Sequence, residues 1–166
     1  MIQFRIMKTM QNWFDAYGVS HTNPTNKTIH WICVPLIFYS ILGILSLVPF
    51  DFIKGWFPYG IQPFIHLGTI LVLFGVLFFL RLSIPIAFGM IVVSAVMLWL
   101  VNLTYSAFGE KAWMFFVSVF VLSWIGQFIG HKIEGEKPSF FDDLKFLMIG
   151  PAWLLHFIYR KLGIPY

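Results

Sequence analysis

Charge is what this sequence has least of. Only 11% of its 166 residues are Asp, Glu, Lys or Arg, against roughly a quarter in a soluble domain, and the mean hydropathy is +0.82. Too little polar surface is left to clothe a globule in water, which excludes an ordinary soluble domain and makes lipid the expected solvent. Cysteine is nearly absent as well: Cys33 stands alone, so no internal disulfide can brace the fold. The chain carries no detectable internal repeat and no dinucleotide-binding fingerprint. Its apolar runs lack the strict alternation of a barrel strand. Aromatic residues are abundant instead: 20 Phe, 7 Trp and 6 Tyr make one residue in five aromatic. That excludes a disordered tail and suits lipid-facing surfaces and interfacial belts. At this length one membrane domain covering residues 1–166 is expected.

Reading from charge to charge locates the spans, because an ionised side chain costs about 2.5 to 3.5 kcal/mol at the centre of a membrane helix. Uncharged windows occupy residues 28–50, 55–80, 82–109 and 112–130. Each approaches or exceeds the roughly 20 residues that cross about 30 Å of hydrocarbon. Only helices and closed barrels satisfy their backbone in lipid. The expected fold is therefore all-α, with four transmembrane helices at about 29–49, 60–80, 84–107 and 112–130.

Four spans return both termini to one face. Arg5, Lys8, Lys27, Arg81, Lys132, Lys137, Lys145, Arg160 and Lys161 then share that face, and only Lys54 and Lys111 lie opposite. The positive-inside rule makes the terminal face cytoplasmic, in a bacterial inner membrane or, in a eukaryote, the endoplasmic reticulum. The net charge of +4 is thus a topology signal. No nucleic-acid partner is expected, since no recognition module accompanies it. Ile6, Met10, Trp13, Phe14 and Tyr17 recur at helical spacing between polar residues, predicting an amphipathic helix that is retained at the interface rather than cleaved as a signal. In the tail, Ser139 and Asp142 resemble a capping box, and Pro151 after Gly150 is expected to break the run before a second segment ending near Gly163. Two interfacial or partly inserted helices are expected there; a fifth span would move Arg160 and Lys161 across and weaken the charge asymmetry.

In so apolar a chain the polar residues at span ends are the informative ones. One cluster runs from His21 through Asn23, Pro24 and Asn26 to His30. Asn23 followed by Pro24 is a helix start, with Asn as cap and Pro where its missing N–H costs nothing. The second runs from Trp124 to Pro138, with Gln127, His131 and Glu134 on one helical face and Gly126 and Gly130 forming a small-xxx-small pair for close helix approach. Both clusters belong to the cytoplasmic face, so His21, His30 and His131 can converge. Three neutral imidazoles suit Fe, Zn or Cu, with Glu134 as a further ligand or as an orienting group. The plain alternative makes the asparagines helix caps, the histidines headgroup contacts and Gln127 an interhelical hydrogen bond. His66, entering the second span from the opposite side, reads as a packing residue. His156 reads as a tail residue within reach of the site, and Cys33 as a small packing residue.

The motif H-x-N-P-x-N-x-x-x-H over His21 to His30, followed by Cys33-Val34-Pro35, and Trp124-Ile-x-Gln127-Phe-Ile-Gly130-His131 with Glu134-Gly, Lys137-Pro138 and Gly150-Pro151, resembles the Mpo1-like family over nearly the whole chain. One departure is Cys33, where the family often has Gly; no role is carried onto His156. The resemblance implies an Fe²⁺-dependent dioxygenase that shortens long-chain 2-hydroxy fatty acids by one carbon with O₂ and without 2-oxoglutarate. His21, His30 and His131 would hold the iron and Glu134 would join the catalytic group. Asn23, Asn26, Gln127 and Lys137 would serve the substrate or support the ligands. The competing classes are another metal-dependent lipid hydrolase or hydroxylase on the same ligands, and a non-enzymatic lipid-binding protein. The oligomeric state cannot be read from the sequence.

Overall fold

The structure, a computed structural model, describes residues 9–135 and 146–166. The expectations for Arg5, Ile6, Lys8, Lys137, Ser139, Asp142 and Lys145 fall outside these residues. The described residues form helices and turns without a strand, as the composition requires. In chain order the α-helices are α1 (Met10–Gly18), α2 (Pro24–Ser46), α3 (Leu67–Leu80), α4 (Ile84–Phe108), α5 (Ala112–Glu134) and α6 (Ile149–Leu162).

Local chemistry sets their ends. Thr9 caps α1 in a reciprocal box with Asn12. Asn23 caps α2 by accepting from the Thr25 and Asn26 N–H groups, with Pro24 at the first helical position. Ser83 caps α4, again ahead of a proline in the first turn. Gly109 takes φ +54°, a region L side chains rarely enter, and so lets the chain reverse between α4 and α5 through a short 3-10 turn at Gly109–Lys111.

The chain passes back and forth through the bundle. Along the antiparallel α2–α5 pair a Cβ on Gly130 would meet Asn26, one on Gly126 would meet Cys33 Sγ, and one on Gly43 would enter the Phe116 ring. The small-xxx-small expectation and the packing role of Cys33 are both met here. Gly130→Ala should therefore lower the thermal unfolding midpoint by about 3–10 °C, since overpacking a close contact costs roughly 1–3 kcal/mol in a protein of this size. An unchanged midpoint would show that this pair needs no close approach. Gly68 at the start of α3 lies against the Leu42 carbonyl, and Tyr39 Oη meets Thr104 Oγ1 at 2.5 Å between α2 and α4.

Two stretches are long and apolar enough to cross a membrane: Pro24–Ser46, and Ile84–Glu134, which the Gly109 turn divides into α4 and α5. The expected helix at 60–80 is shorter than predicted. Residues Asp51–Trp56 and Tyr59–Phe64 form 3-10 turns, and the α-helix begins only at Leu67. Pro58 and Pro63 withhold backbone donors from that stretch, and its 14 helical residues reach about 21 Å at 1.5 Å per residue.

Pro151 marks the start of the second tail segment, as expected. It sits in the first turn of α6, which starts at Ile149 and ends at Gly163. The first two turns of α6 are buried all round, and Trp153, Leu155 and Tyr159 pack in one cluster with Phe14 and Tyr17 of α1 and with Ile86 and Met90 of α4. Tyr159 Oη donates to the Pro85 carbonyl at 2.8 Å. The two ends of the chain thus close the bundle where α2 begins and α5 ends.

Candidate metal centre

Three histidines from distant parts of the sequence meet at that end. Ring centroids are 4.2 Å apart for His21 and His30, 5.1 Å for His30 and His131, and 5.3 Å for His21 and His131. One nitrogen from each lies within 4.8 Å of the others. The residues are 2%, 1% and 3% exposed in chain order, so water does not separate the rings. Among the described residues they form the only group of three or more His, Cys, Asp or Glu so gathered.

The backbone decides which nitrogens face inward. His30 Nδ1 lies 2.9 Å from the Asn26 carbonyl oxygen and His21 Nδ1 lies 2.6 Å from that of Tyr17. A carbonyl only accepts, so both Nδ1 atoms carry the proton and each Nε2 presents a lone pair. Ligating imidazoles are commonly oriented by such a bond on the far nitrogen. His21 Nε2 is buried and meets no hydrogen-bond partner among the described residues. Left so, it forfeits the hydrogen bond that water would give it; a metal ion would satisfy it. Burial, opposed by the hydrogen bond to Tyr17, lowers the His21 imidazole from its usual 6.5 to about 4, with His131 adding to the fall. At neutral pH the ring is therefore uncharged, as a ligand must be. Tyr17 stacks on His21 at 4.3 Å, and Trp153 packs beside both rings, 5.4 Å from His21 and 5.2 Å from Tyr17.

Glu134 stands apart from the three rings and is taken up by the loop that carries His21. Its Oε1 accepts from the Thr22 N–H at 2.7 Å and from the Thr22 hydroxyl. Its Oε2 accepts from the Asn23 N–H and from Asn26 Nδ2, both at 2.9 Å. Asn26 Nδ2 also donates to the Ser20 carbonyl at 3.1 Å. Gly135, at φ +86°, ends α5 immediately after this carboxylate. The end of α5 is thereby stapled across the loop at residues 19–23, with Asn23 capping α2 and Asn26 fully buried beneath it.

Gln127 is buried on α5 and lines a small cavity of about 30 Å³ with Tyr17, Trp124 and Gly150. Lys137 lies outside the described residues. His66 caps the start of α3 at the other end of the bundle and lines a separate cavity. His156 is buried against Phe14 and hydrogen-bonds Tyr166. It does not join the three-histidine group. Sequence reasoning missed Trp153 as a wall of the site, and it placed Tyr17 only on a helix face. The available signal was the i, i+4 spacing of Tyr17 and His21, which puts a backbone acceptor under the imidazole.

The family model described as 2-hydroxy-palmitic acid dioxygenase Mpo1-like matches residues 7–162, which includes every residue of this centre. The chain belongs to the Mpo1-like family. Its sequence is also 28% identical over 152 residues to the 2-hydroxy-palmitic acid dioxygenase MPO1 of Saccharomyces cerevisiae, covering 89% of this chain and 78% of that relative. No solved structure matches it significantly. In this Mpo1-like chain three imidazoles, two of them oriented by backbone carbonyls, are a donor set suited to Fe, Zn or Cu.

Proposed function

We propose that this Mpo1-like chain is an Fe²⁺-dependent membrane dioxygenase that converts a long-chain 2-hydroxy fatty acid and O₂ into the acid one carbon shorter, CO₂ and water. The observation that carries the reading is the convergence of His21, His30 and His131 in a buried cluster. It is supported by family membership and by the printed activity of the yeast relative. The stoichiometry closes without a co-reductant: the hydroxy acid gives up four electrons as its C1–C2 bond breaks, and O₂ takes them. Ferrous iron held by the three histidines supplies the one-electron chemistry that lets O₂ react with a closed-shell acid.

The chain's own residues prepare the site. Tyr17 and Asn26 carbonyls hold the His21 and His30 rings in the tautomer that points Nε2 inward. Glu134, Asn23 and Asn26 hold the His21 loop and act as positioning residues. Tyr17 and Trp153 exclude water from one side. The four passes α2 to α5 cross the membrane with both termini cytoplasmic. Phe88, Val96 and Trp99 on α4 and Val121, Leu122 and Ile129 on α5 point outward and are exposed in the chain alone, which suits a lipid surrounding.

The test is incubation of the purified, detergent-solubilised protein with 2-hydroxypalmitate, with and without Fe²⁺, and mass analysis of the products. The C15 acid should form in air with iron and disappear after chelation. Absence of that acid under aerobic, iron-replete conditions would overturn the assignment.

A further inference from the structure

A polar cavity of about 390 Å³ opens beside the three histidines, and His21 forms part of its wall. Its other charged or titratable lining groups come from three elements: Asp15 of α1, Lys27 in the first turn of α2, and His156 and Arg160 of α6. Lys27 and Arg160 are 133 positions apart in sequence, yet they line the same space. Neither forms an ion pair among the described residues, where Asp51 and Lys54 make the one salt bridge, at the opposite end of the bundle. Asp15 is engaged by Gln11 Nε2 at 2.7 Å. Lys27 and Arg160, unpaired with any carboxylate among the described residues, therefore share with Asp15 the lining of a cavity that reaches His21 of the three-histidine cluster.

We infer that Lys27 and Arg160 form the seat for the substrate carboxylate, drawing the acid head of a long-chain fatty acid into the cavity beside His21. The inference rests on the proposed dioxygenase reading for the identity of the acid, and it assigns the recognition of that acid to two named side chains. A carboxylate has two oxygens. One takes the guanidinium and ammonium donors while the other, with the 2-hydroxyl, faces the histidines. Arg160 presents a planar fork that matches a carboxylate, and Lys27 adds a point charge from the helix beneath it. The positive N-terminal end of α2 favours the same anion. Asp15, which shares this lining, sets the cost of a misplaced head group, since a carboxylate turned toward it meets like charge.

The experiment uses the full-length protein in phosphatidylcholine nanodiscs, which offer no anionic headgroup. Lys27→Met, Arg160→Gln and the double variant are compared with wild type and with Lys111→Gln, a lysine at the opposite end of the bundle. Two quantities are read: KM and kcat for 2-hydroxypalmitate with iron bound, and displacement of a fluorescent fatty acid from metal-free protein by palmitate or by its methyl ester. Each single variant should raise KM by about 10-fold, and the double variant by about 100-fold, with kcat reduced far less and bound iron unchanged; charge-assisted hydrogen bonds are of this strength. Wild type should prefer palmitate over the methyl ester, and the double variant should lose that preference. Arg160→Lys should recover part of the KM effect, which a merely structural defect would not allow.

Unchanged KM and unchanged acid-over-ester preference in the double variant would overturn the seat while leaving the dioxygenase reading intact. A KM effect seen only when anionic lipid is added would overturn it too, because the cations would then be serving lipid headgroups. Wild-type protein that binds palmitate through these residues but never shortens the hydroxy acid would overturn the activity and keep the seat.

Discussion

On the proposed dioxygenase reading, replacing His30 or His131 by alanine should abolish iron binding and lower turnover of a 2-hydroxy fatty acid by at least about 10³-fold, because several kcal/mol of metal-supplied stabilisation would be lost at about 1.4 kcal/mol per tenfold. The cluster has no spare donor among the described residues. His66 and His156, the remaining histidines of the chain, are held elsewhere: His66 at the start of α3, and His156 against Phe14 and Tyr166. Two imidazoles alone bind ferrous iron weakly in a site that offers no carboxylate in their place. His66→Ala should keep nearly all the iron, which separates loss of a ligand from general misfolding. Metal analysis of the purified variants is the measurement, and equal iron content in His30→Ala, His131→Ala and His66→Ala would refute the ligand assignment.

The second large effect is expected at a residue that touches no metal. Glu134→Ala should weaken iron binding by about 10- to 100-fold, the usual range for losing a group that orients a ligand. Four donors lose their acceptor together: the Thr22 and Asn23 N–H groups, the Thr22 hydroxyl and Asn26 Nδ2. The loop carrying His21 is then tied to α5 no longer, and the third imidazole drifts from the other two. Glu134→Gln should fall between wild type and Glu134→Ala, since the amide keeps one accepting oxygen and turns a donor toward Asn23 and Asn26. Iron affinity titrated by competition with a chelator decides it. Equal affinity in wild type and Glu134→Ala would remove the staple from the account of the site.

The same carboxylate shows where reading the sequence stops. Gln127, His131 and Glu134 share a helical face by spacing, and that spacing leaves Glu134 open as a further ligand or as an orienting group. The structure gives both oxygens to backbone and side-chain donors of the 19–23 loop. Sequence spacing places a Cβ on a face, but it does not reveal which unsatisfied N–H groups a neighbouring loop will bring within reach. The short α3 has a similar origin. The uncharged window is legible in the sequence, while Pro58 and Pro63 stop helix propagation there, so a 3-10 turn at Tyr59–Phe64 takes up the start of the expected span. Trp153 and Arg160 were legible only as tail residues, because the tail's position follows from α6 packing against α1 and α4.

By itself the sequence determined the helical class, the helix start at Asn23-Pro24, a close helix approach through Gly126 and Gly130, and the set of three histidines that could meet. Each follows from a local or pairwise rule: caps answer the nearest orphan N–H groups, charges avoid the middle of apolar helices, and small residues let backbones touch. Only the tertiary structure decided that His21, His30 and His131 lie within bonding range of one another, that Glu134 holds the loop rather than joining them, and that Lys27 and Arg160 look into one cavity. Those relations depend on how the helices settle their side-chain volumes and unpaired donors together, a many-body balance that no spacing along a single chain records.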